Sequence, residues 1–275
     1  MPLVTEYPKH KPHGLQPDRR LPEVESGQAI VQEVFSSIQG EGPWVGVRQL
    51  FIRLAHCHLA CQYCDTPMTT PSGMAYIEVS PGRDHWDTYD NPMDVQRLLQ
   101  ACQGLLSTAA HHSVSLTGGE PLLYPDFAAS LFQQVQALGL KTYLETSGTQ
   151  PLKLAPVLPY TDLIAMDIKL ESATGYKTPW LRHQRFYEVA TSRSSTKTVL
   201  KVIASDNTTP EELRQLAEYI PDVSASIFIQ PVTSLTGEQR PTVGAVQLLS
   251  LQASLSEFYQ DVRMIPQTHK WLSVT

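Results

Sequence analysis

The sequence of 275 residues has little charge, and especially little basic charge. Charged residues make up 17% of it and the formal net charge is −6. A nucleic-acid binder generally needs surplus cations to neutralise phosphates, so general nucleic-acid binding is not expected. No apolar run reaches the length of a membrane span, and the N-terminal residues lack the apolar segment of a secretory signal. We therefore expect a cytoplasmic protein that binds neither nucleic acid nor membrane.

Cysteine is also scarce, yet three of the four cysteines stand close together. Cys57, Cys61 and Cys64 follow the pattern C-x3-C-x2-C, a spacing that lets one loop wrap thiolates around a single metal centre. In a reducing compartment, clustered cysteines are more often metal ligands than disulfides. Thiolates suit iron–sulfur clusters and zinc. Cys102 lies apart within a helical pattern, and we interpret it as a small core residue.

The number of cysteines favours a cluster over zinc. A cubane cluster has four irons, so three cysteines leave one iron open to another ligand. Zinc would need a fourth ligand, which His56 or His58 could supply. Both histidines stand beside or between the thiols, where a short loop would have difficulty turning all of them onto one ion. Each histidine is more simply interpreted as a loop residue.

Strand and helix patterns alternate along most of the chain, which is typical of parallel βαβ units and predicts an α/β fold. Polar motifs follow several different strands, namely CHLACQYCDT, TGGEP, ETSG, DIKL and QP. Barrel active sites are built from many strand ends around one mouth, whereas a doubly wound sheet gathers its chemistry at one switch point. We therefore predict a partial (β/α) TIM-like barrel.

The predicted organisation is a single domain over residues 28–275. Residues 1–27 combine Pro, His and charges without periodicity, and we expect them to form a poorly ordered arm. Residues 67–92 are rich in Pro, Gly and Asp, and we expect a long loop or insertion there.

The cysteine pattern directly after a strand, followed by TGGEP and a barrel rhythm, resembles the radical S-adenosylmethionine (SAM) superfamily. The resemblance implies a barrel of the radical SAM type in which the cysteines hold a [4Fe-4S] cluster. It also implies that SAM chelates the open iron and is cleaved to a 5'-deoxyadenosyl radical. The electron would come from an external donor such as flavodoxin or ferredoxin.

A more specific resemblance lies around the cluster motif. The segment FSSIQGEGPWVGVRQLFIRLAHCHLACQYCDTP resembles the N-terminal signature of the 7-carboxy-7-deazaguanine synthase family. TGGEPLL, LETSGT, DIK and IPQTHK continue the likeness, which runs from about Ile30 to Lys270. It implies a lyase of queuosine or deazapurine biosynthesis that converts 6-carboxy-5,6,7,8-tetrahydropterin to 7-carboxy-7-deazaguanine with loss of ammonia. A homodimer is a family-level expectation.

Two alternatives stay open at this point. A radical SAM activase that installs a glycyl radical on a partner protein shares the cysteines and GGEP, but it would not need IQGEG or Arg53. A zinc or cluster-binding module without enzymatic activity would need only the cysteines.

The resemblance also assigns candidate site residues. The cluster ligands are Cys57, Cys61 and Cys64, and Thr66 is the candidate ligand of Mg2+, which prefers oxygen. The substrate-binding candidates are Ile38, Gln39, Gly40, Arg53 and Thr117. The SAM-binding candidates are Tyr63, Cys64, Asp65, Gly119, Glu120, Ser147, Asp167, Lys169 and Gln230.

Simple chemistry supports several of these assignments. The amide of Gln39 offers both a donor and an acceptor to the edge of a pterin. The planar fork of Arg53 suits a carboxylate, although a structural salt bridge would explain this residue equally well. The sequence also departs from the family pattern, because His56 and His58 stand where a small residue and an Asn are usual. The final residues offer no clear counterpart to the family's C-terminal substrate contact.

Overall fold

Strands and helices alternate in the computed structural model, which describes residues 23–66, 73–221, 224–234 and 241–274. The strands are β1 Gln28–Ala29, β2 Val31–Ile38, β3 Arg48–Leu54, β4 Met74–Glu78, β5 Trp86–Asp90, β6 Met93–Asp94, β7 Ser113–Gly118, β8 Lys141–Thr146, β9 Leu163–Ile168, β10 Lys197–Ala204, β11 Ile227–Pro231 and β12 Val262–Met264. The α-helices are α1 Val95–Ala101, α2 Gln103–Thr108, α3 Pro125–Ala137, α4 Pro151–Leu154, α5 Glu171–Thr174, α6 Trp180–Thr191, α7 Pro210–Tyr219, α8 Ala245–Ser256 and α9 Thr268–Trp271.

The main sheet has ten strands in the order β12-β11-β10-β9-β8-β7-β3-β2-β4-β5. From β3 through β7 to β12, each strand lies parallel to the one before it. This consecutive order is that of a barrel, because a doubly wound sheet reverses its strand order at a switch point. The order ends at β12 on one side and β5 on the other, so the barrel is partial. The predicted α/β fold is confirmed.

A contact across the mouth shows that the sheet curls. β2 and β10 are five strand intervals apart in the sheet order, which would separate them by about 24 Å if the sheet were flat. Yet Lys201 Nζ, on β10, lies 2.7 Å from Glu41 Oε2, in the turn after β2. The strand ends on this side therefore surround one concave space.

The inner face of the sheet is apolar near the start of the strands and polar near their ends. A small buried cluster fills the lower part, and it consists of Tyr143, Leu163, Ala165, Val199 and Phe228. Side chains two residues farther along a strand point to the same face. These next positions are Glu145, Asp167, Lys201 and Gln230, and all four line a cavity above the apolar cluster. The other face of the sheet packs against the helices in one large core.

The segment predicted as a long loop or insertion over residues 67–92 contains a hairpin. β4 and β5 pair antiparallel, and β4 pairs parallel with β2, so the hairpin extends the sheet. An unstructured loop is therefore excluded for residues 74–78 and 86–90, whereas an insertion stays a prediction. The polar turn SPGRD and the polar positions of β5 made the buried Ala75, Ile77 and Trp86 hard to recognise as strand residues. Residues 67–72 lie outside the described residues.

The N-terminal prediction concerns residues that are mostly not described. Residues 1–22 of the predicted arm lie outside the described part of the chain. Val24 is partly buried against the main core, and β1 pairs antiparallel with β6. Among the helices of the described residues, none combines the length and apolarity that crossing a membrane requires.

Candidate functional site

The cysteine loop begins where β3 ends at the mouth of the barrel. Cys57, Cys61 and Cys64 all line the same cavity, together with the ends of several strands. Burial, with the charge of Glu120, raises the pKa of Cys57 to about 12, and burial also raises the pKa of Cys61. A thiolate at either position is therefore disfavoured unless a positive charge, such as that of a bound metal, offsets the burial. Three thiol donors on one short loop fit a cluster that takes three protein ligands.

Each histidine of the loop bonds a hydroxyl group through one ring nitrogen. His56 Nδ1 lies 3.2 Å from the hydroxyl of Tyr124, and His58 Nε2 lies 2.8 Å from Thr149 Oγ1. Within the described ranges, no three His, Cys, Asp or Glu side chains are grouped around a position for a single metal ion.

The two glycines of TGGEP pack directly against the chain that leads into the cysteine loop. Gly118 has φ of 129°, and a Cβ there would lie 2.2 Å from the carbonyl oxygen of Leu54. A Cβ on Gly119 would lie 1.8 Å from the carbonyl oxygen of His56. The Gly119 N–H also donates to Leu54 O at 3.0 Å. The absence of side chains at both positions therefore lets the end of β7 hold the base of the cysteine loop.

Glu120 lies beneath the cavity rather than in its wall. Its side chain is fully buried, and its carboxylate accepts hydrogen bonds from Thr146 Oγ1 at 2.7 Å and from Ser147 N at 2.9 Å. It also accepts from the N–H of Leu122 at 3.1 Å. The structure therefore shows Glu120 bracing the end of β8, and its predicted contact with SAM stays a prediction.

A chain of alternating charges crosses the floor of the cavity. Lys201 Nζ lies 2.7 Å from Glu41 and 3.0 Å from Asp167. Lys169 Nζ lies 2.7 Å from Asp167 and donates to the hydroxyl of Tyr63 at 2.9 Å. Burial alone would raise the pKa of Asp167, but Lys169 and Lys201 lower it below its usual range. Burial opposes the charge of Lys201 in the same way, but Asp167 and Glu41 hold its pKa well above the usual range. The pKa of Glu41 is lowered and that of Lys169 is raised in the same way, so the two carboxylates and the two ammonium groups are charged at neutral pH, whereas the Tyr63 hydroxyl is neutral.

Glu145 sits beside this chain without a direct cation. Burial raises its pKa, Lys201 opposes the rise, and Glu41 adds to it. Gln39 Nε2 donates to Glu145 at 3.1 Å and to Gln49 Oε1 at 2.9 Å, while Gln39 Oε1 accepts from the N–H of Glu41. The amide predicted to meet a pterin edge thus has protein partners on both atoms. It positions Glu145, whose carboxyl group faces the cavity.

One wall of the cavity combines an arginine with two aromatic rings. Phe35 and Phe51 stack with their centroids 5.1 Å apart, and the guanidinium carbon of Arg53 lies 5.8 Å from the Phe35 centroid. Arg53 Nε donates to Glu33 at 2.6 Å, so the salt bridge considered from sequence exists. Arg53 also lines the cavity, and its Nη1 lies 3.4 Å from Thr66 Oγ1. Arg53 therefore has both a structural and a cavity-facing role.

The C-terminal segment closes over the mouth. Gln267 Nε2 donates to Glu41 Oε1 at 2.9 Å, and Lys270 Nζ lies 2.7 Å from Asp65. The ring of His269 lies so close to Gly40 that a Cβ there would be 2.0 Å from Nδ1. The segment thus joins the IQGEG turn to the cysteine loop.

Gln230 brings a buried oxygen that lacks a partner among the described residues to the cavity. Gln230 is 4% exposed, and its Oε1 has no hydrogen-bond partner among the described residues. Ser147, which the sequence also assigns to SAM binding, hydrogen-bonds Thr149, which in turn bonds His58. A buried amide oxygen is normally paired, so this one offers an acceptor to a bound ligand or to an ordered water. This site therefore fits a ligand that carries N–H or O–H groups, as SAM does.

His183 holds two of the predicted SAM motifs together from behind. The N–H of Lys169 donates to its Nε2 at 3.1 Å, so its proton is on Nδ1, which lies 3.0 Å from the carbonyl oxygen of Gly148. Burial lowers the pKa of His183 to about 4. The ring is therefore neutral and acts as a fixed link between ETSG and DIK.

The structure brings nearly all predicted site residues to one cavity, and Glu120 is the exception. Their ligands stay predictions. The sequence reasoning missed several cavity residues, namely Phe35, Glu41, Phe51, Glu145, Lys201, Gln267, His269 and Lys270. One signal was available, because Lys201 interrupts the apolar strand TVLKVIA and a buried lysine requires acidic partners.

Comparisons with known proteins agree with this geometry. The family described as the radical SAM superfamily matches residues 52–220. A 7-carboxy-7-deazaguanine synthase from Geobacter sulfurreducens is 38% identical over 252 residues, which cover 89% of this chain and 97% of the relative. The synthase of the same name from Archaeoglobus fulgidus is 34% identical, covering 90% of this chain and 99% of the relative.

A solved structure supports the fold alone. The crystal structure of QueE from Escherichia coli aligns with a TM-score of 0.59 at 22% identity and covers 87% of this chain and 93% of that chain. The matched region, the cysteine loop and the two relatives lead to one conclusion. The chain belongs to the radical SAM superfamily and, within it, to the 7-carboxy-7-deazaguanine synthase family.

Proposed function

We propose that this chain is a lyase that converts 6-carboxy-5,6,7,8-tetrahydropterin to 7-carboxy-7-deazaguanine with loss of ammonia. The names of its relatives support the product. The observation that carries the proposal is that Arg53, a guanidinium suited to a carboxylate, lines the same cavity as the cysteine triad. An apolar wall for a flat ring, Phe35 and Phe51, stands beside it.

Cys57, Cys61 and Cys64 would hold the [4Fe-4S] cluster. Gly119, Ser147 and Gln230 are among the residues that would hold SAM. When bound, the cluster and SAM supply the radical that removes hydrogen from the substrate.

The residues of the chain perform the binding and orientation. Arg53 holds the substrate carboxylate, and the Phe35–Phe51 pair excludes water from the ring. Burial raises the pKa of Glu145, and its carboxyl oxygens accept from Gln39 Nε2, Ser115 Oγ and Thr117 Oγ1. This carboxyl group would offer a hydrogen-bonding partner to the edge of the substrate ring. Gln39 fixes the orientation of Glu145.

Thr66 belongs to the proposal as the ligand of Mg2+. Its hydroxyl lines the cavity 3.4 Å from Arg53 Nη1. Two cations near one hydroxyl need an anion to offset their repulsion, and the substrate carboxylate would supply that charge.

Three further features belong to the proposal. The electron donor is a carrier protein such as flavodoxin or ferredoxin, and the protein acts as a homodimer. The cytoplasm is the proposed location, since clustered thiols persist in a reducing compartment.

The test is anaerobic reconstitution with iron and sulfide, followed by incubation with SAM, Mg2+, dithionite and carboxytetrahydropterin. We expect the ultraviolet absorption and mass of the deazapurine, and we expect neither from a Cys64→Ala variant. Product formed without any partner protein would exclude a glycyl-radical activase. Stoichiometric zinc with no SAM cleavage, or SAM cleavage with no deazapurine, would contradict the proposal.

A further inference from the structure

His269 lines the cavity with an imidazole that the described residues leave unpaired. Neither of its ring nitrogens has a hydrogen-bond partner within the described part of the chain. Neither nitrogen is sealed off, because His269 is not among the residues whose buried polar atoms lack a partner. The ring lies against Gly40, where an added Cβ would be 2.0 Å from Nδ1. An accessible imidazole therefore stands at the turn to which the sequence assigns substrate binding.

The residues on either side of His269 fix the position of its ring. Thr268 donates to the carbonyl oxygen of Gly40 from its N–H at 3.0 Å and from its hydroxyl at 3.1 Å. Lys270 Nζ lies 2.7 Å from Asp65 on the cysteine loop. The ring is thus held at the mouth by its neighbours, while its own nitrogens stay available to a ligand.

The carboxyl groups of the cavity already have protein partners. Glu41, Asp65 and Asp167 each lie 2.7 Å from a lysine ammonium group. The carboxyl group of Glu145 accepts from three donors, namely Gln39 Nε2 at 3.1 Å, Thr117 Oγ1 at 3.2 Å and Ser115 Oγ at 3.3 Å. Proton transfer at any of these groups would disturb bonds that the fold has formed.

The cations of the cavity hold their protons too tightly to exchange them. Burial opposes the charge of Lys169 and Lys201, but Asp167 holds the pKa of both well above the usual range. The guanidinium of Arg53 does not release its proton in proteins. An imidazole is the side chain that can both take and give a proton near neutral pH.

The proposed reaction needs such a group in its last stage. Carboxytetrahydropterin and carboxydeazaguanine differ by one ammonia, so the conversion involves no net oxidation. The departing nitrogen leaves as ammonia only after it takes up a proton, and the new aromatic ring forms only when a ring carbon gives one up. One proton therefore has to move from carbon to nitrogen, and a positioned side chain speeds such a transfer.

We propose that His269 makes this transfer. The proposal rests on the proposed function, because it names the residue that completes that reaction. The neutral imidazole takes the proton from the ring carbon, and the electron pair of the C–H bond becomes the ring double bond. The C–N bond breaks, its electron pair stays on nitrogen, and the imidazolium gives its proton to that nitrogen. Ammonia and the deazapurine result, and His269 is neutral again.

The charges around the ring keep His269 in the form that can accept a proton. Burial lowers its pKa, while Glu41 in the turn after β2 and Asp65 in the cysteine loop oppose this effect. Lys270 in α9 and Arg53 in β3 lower the pKa further. The pKa therefore lies below the ordinary histidine value of about 6.5. As pH falls through it, the ring becomes charged before the reaction and kcat should fall.

The test replaces His269 by Gln and, separately, by Asn in the reconstituted full chain. Each amide keeps hydrogen-bonding atoms but cannot transfer a proton. The matched control is His85→Gln, in the turn between β4 and β5 and outside the cavity. Glu145→Gln tests the competing group, since burial raises the pKa of that carboxyl.

Four quantities are measured for every variant. They are the iron content, the kcat and KM for deazapurine formation with dithionite over a range of pH, the transfer of deuterium from labelled substrate to the deoxyadenosyl group in a single turnover, and the masses of the species present when that turnover is quenched.

We expect kcat of both His269 variants to fall at least about 100-fold, with KM changed by less than about threefold. Iron content and deuterium transfer should stay near those of the parent. A species with the mass of the substrate should accumulate, because the radical step is complete while ammonia is retained. The fall of kcat at acidic pH should appear in the parent and in His85→Gln but not in the His269 variants.

Deazapurine formation at the parent rate by either His269 variant would overturn the proposal, as would an acidic fall of kcat that persists in them. Loss of iron or of deuterium transfer in both would also overturn it, because His269 would then support the fold or the radical step. Accumulation of the substrate-mass species in Glu145→Gln alone would assign the transfer to Glu145. A parent that makes no deazapurine contradicts the proposed function, whereas an active parent with active His269 variants contradicts this proposal alone.

Discussion

The ammonium group of Lys201 lies 2.7 Å from the carboxylate of Glu41, although the two residues are 160 positions apart. The contact joins the turn after β2 to the inner face of β10 and is shielded from water. Because Lys201 also contacts Asp167 at 3.0 Å, one cation offsets two buried carboxylates.

Replacing Lys201 by Met should therefore destabilise the protein strongly. Glu41 would lose its cation and Asp167 would keep only Lys169, and an uncompensated buried charge costs about 3 to 5 kcal/mol of unfolding free energy. Urea unfolding of the parent and the variant measures the difference. Lys197→Met, at the exposed start of the same strand, is the control and should change stability by about 0.5 kcal/mol or less. A loss below about 1 kcal/mol for Lys201→Met would contradict the argument.

His183 should make stability depend on pH. Its pKa is lowered to about 4 in the folded protein, while an unfolded histidine titrates near 6.5. As pH falls below about 6.5, the unfolded state therefore binds a proton that the folded state does not. The free energy of unfolding falls by up to about 3 kcal/mol by pH 4. Comparing unfolding free energies of the parent and His183→Gln across this range isolates the effect from other groups. The difference between the two proteins should shrink as pH falls, and a constant difference would refute the linkage.

Gly119 should not tolerate even alanine. The added Cβ would lie 1.8 Å from the carbonyl oxygen of His56 and would force the cysteine loop away from β7. We expect Gly119→Ala to cost about 2 kcal/mol of stability and to lower the iron bound after reconstitution. Gly104, in α2, has no atom within 4 Å of an added Cβ. Gly104→Ala should therefore stabilise the helix by about 0.5 to 1 kcal/mol, and similar losses in both variants would count against the packing argument.

The four cysteines should separate into two classes. Cys57→Ala, Cys61→Ala or Cys64→Ala should each abolish stable cluster binding, because only these three line the cavity. Cys102 is fully buried where α1 meets α2, and Cys102→Ala should retain full iron and sulfide content. Iron analysis and visible absorption after anaerobic reconstitution provide the test. Loss of iron in Cys102→Ala would show that the assignment is wrong.

Arg53→Lys should weaken substrate binding more than turnover. Lysine keeps the charge but loses the planar fork, the Nε bond to Glu33 and the stacking on Phe35. We expect KM for the pterin to rise about tenfold with kcat changed by less than about threefold. Arg48→Lys, at the other end of β3, is the matched control and should leave both constants near those of the parent. A fall in kcat with unchanged KM would argue against a binding role.

The sequence predicted the parts of the site that are local in the chain. The cysteine loop depends on spacing within eight residues, and TGGEP follows its strand directly, so both were assigned without knowledge of packing. The partial barrel followed from polar motifs at many strand ends. Each of these signals is contained in a short segment.

The missed residues depend on register and curvature instead. Glu145 and Lys201 face the cavity because they stand two residues beyond inward-facing apolar residues, and their neighbours across the barrel are set by the curl of the sheet. Glu120 was placed in the cavity by motif, but three hydrogen bonds turn its carboxylate toward β8. No sequence pattern specifies the direction of that side chain.

The segment that covers the cavity is synthesised long after the residues that it covers. Gln267 and Glu41 are 226 positions apart, so the ribosome makes the cysteine loop long before the segment that covers it. A nascent chain that has reached α7 already carries every cluster ligand, while its cavity has no cover. Metal can thus bind before the covering segment is made, and a chain interrupted before Gln267 would keep its thiols exposed to oxidants.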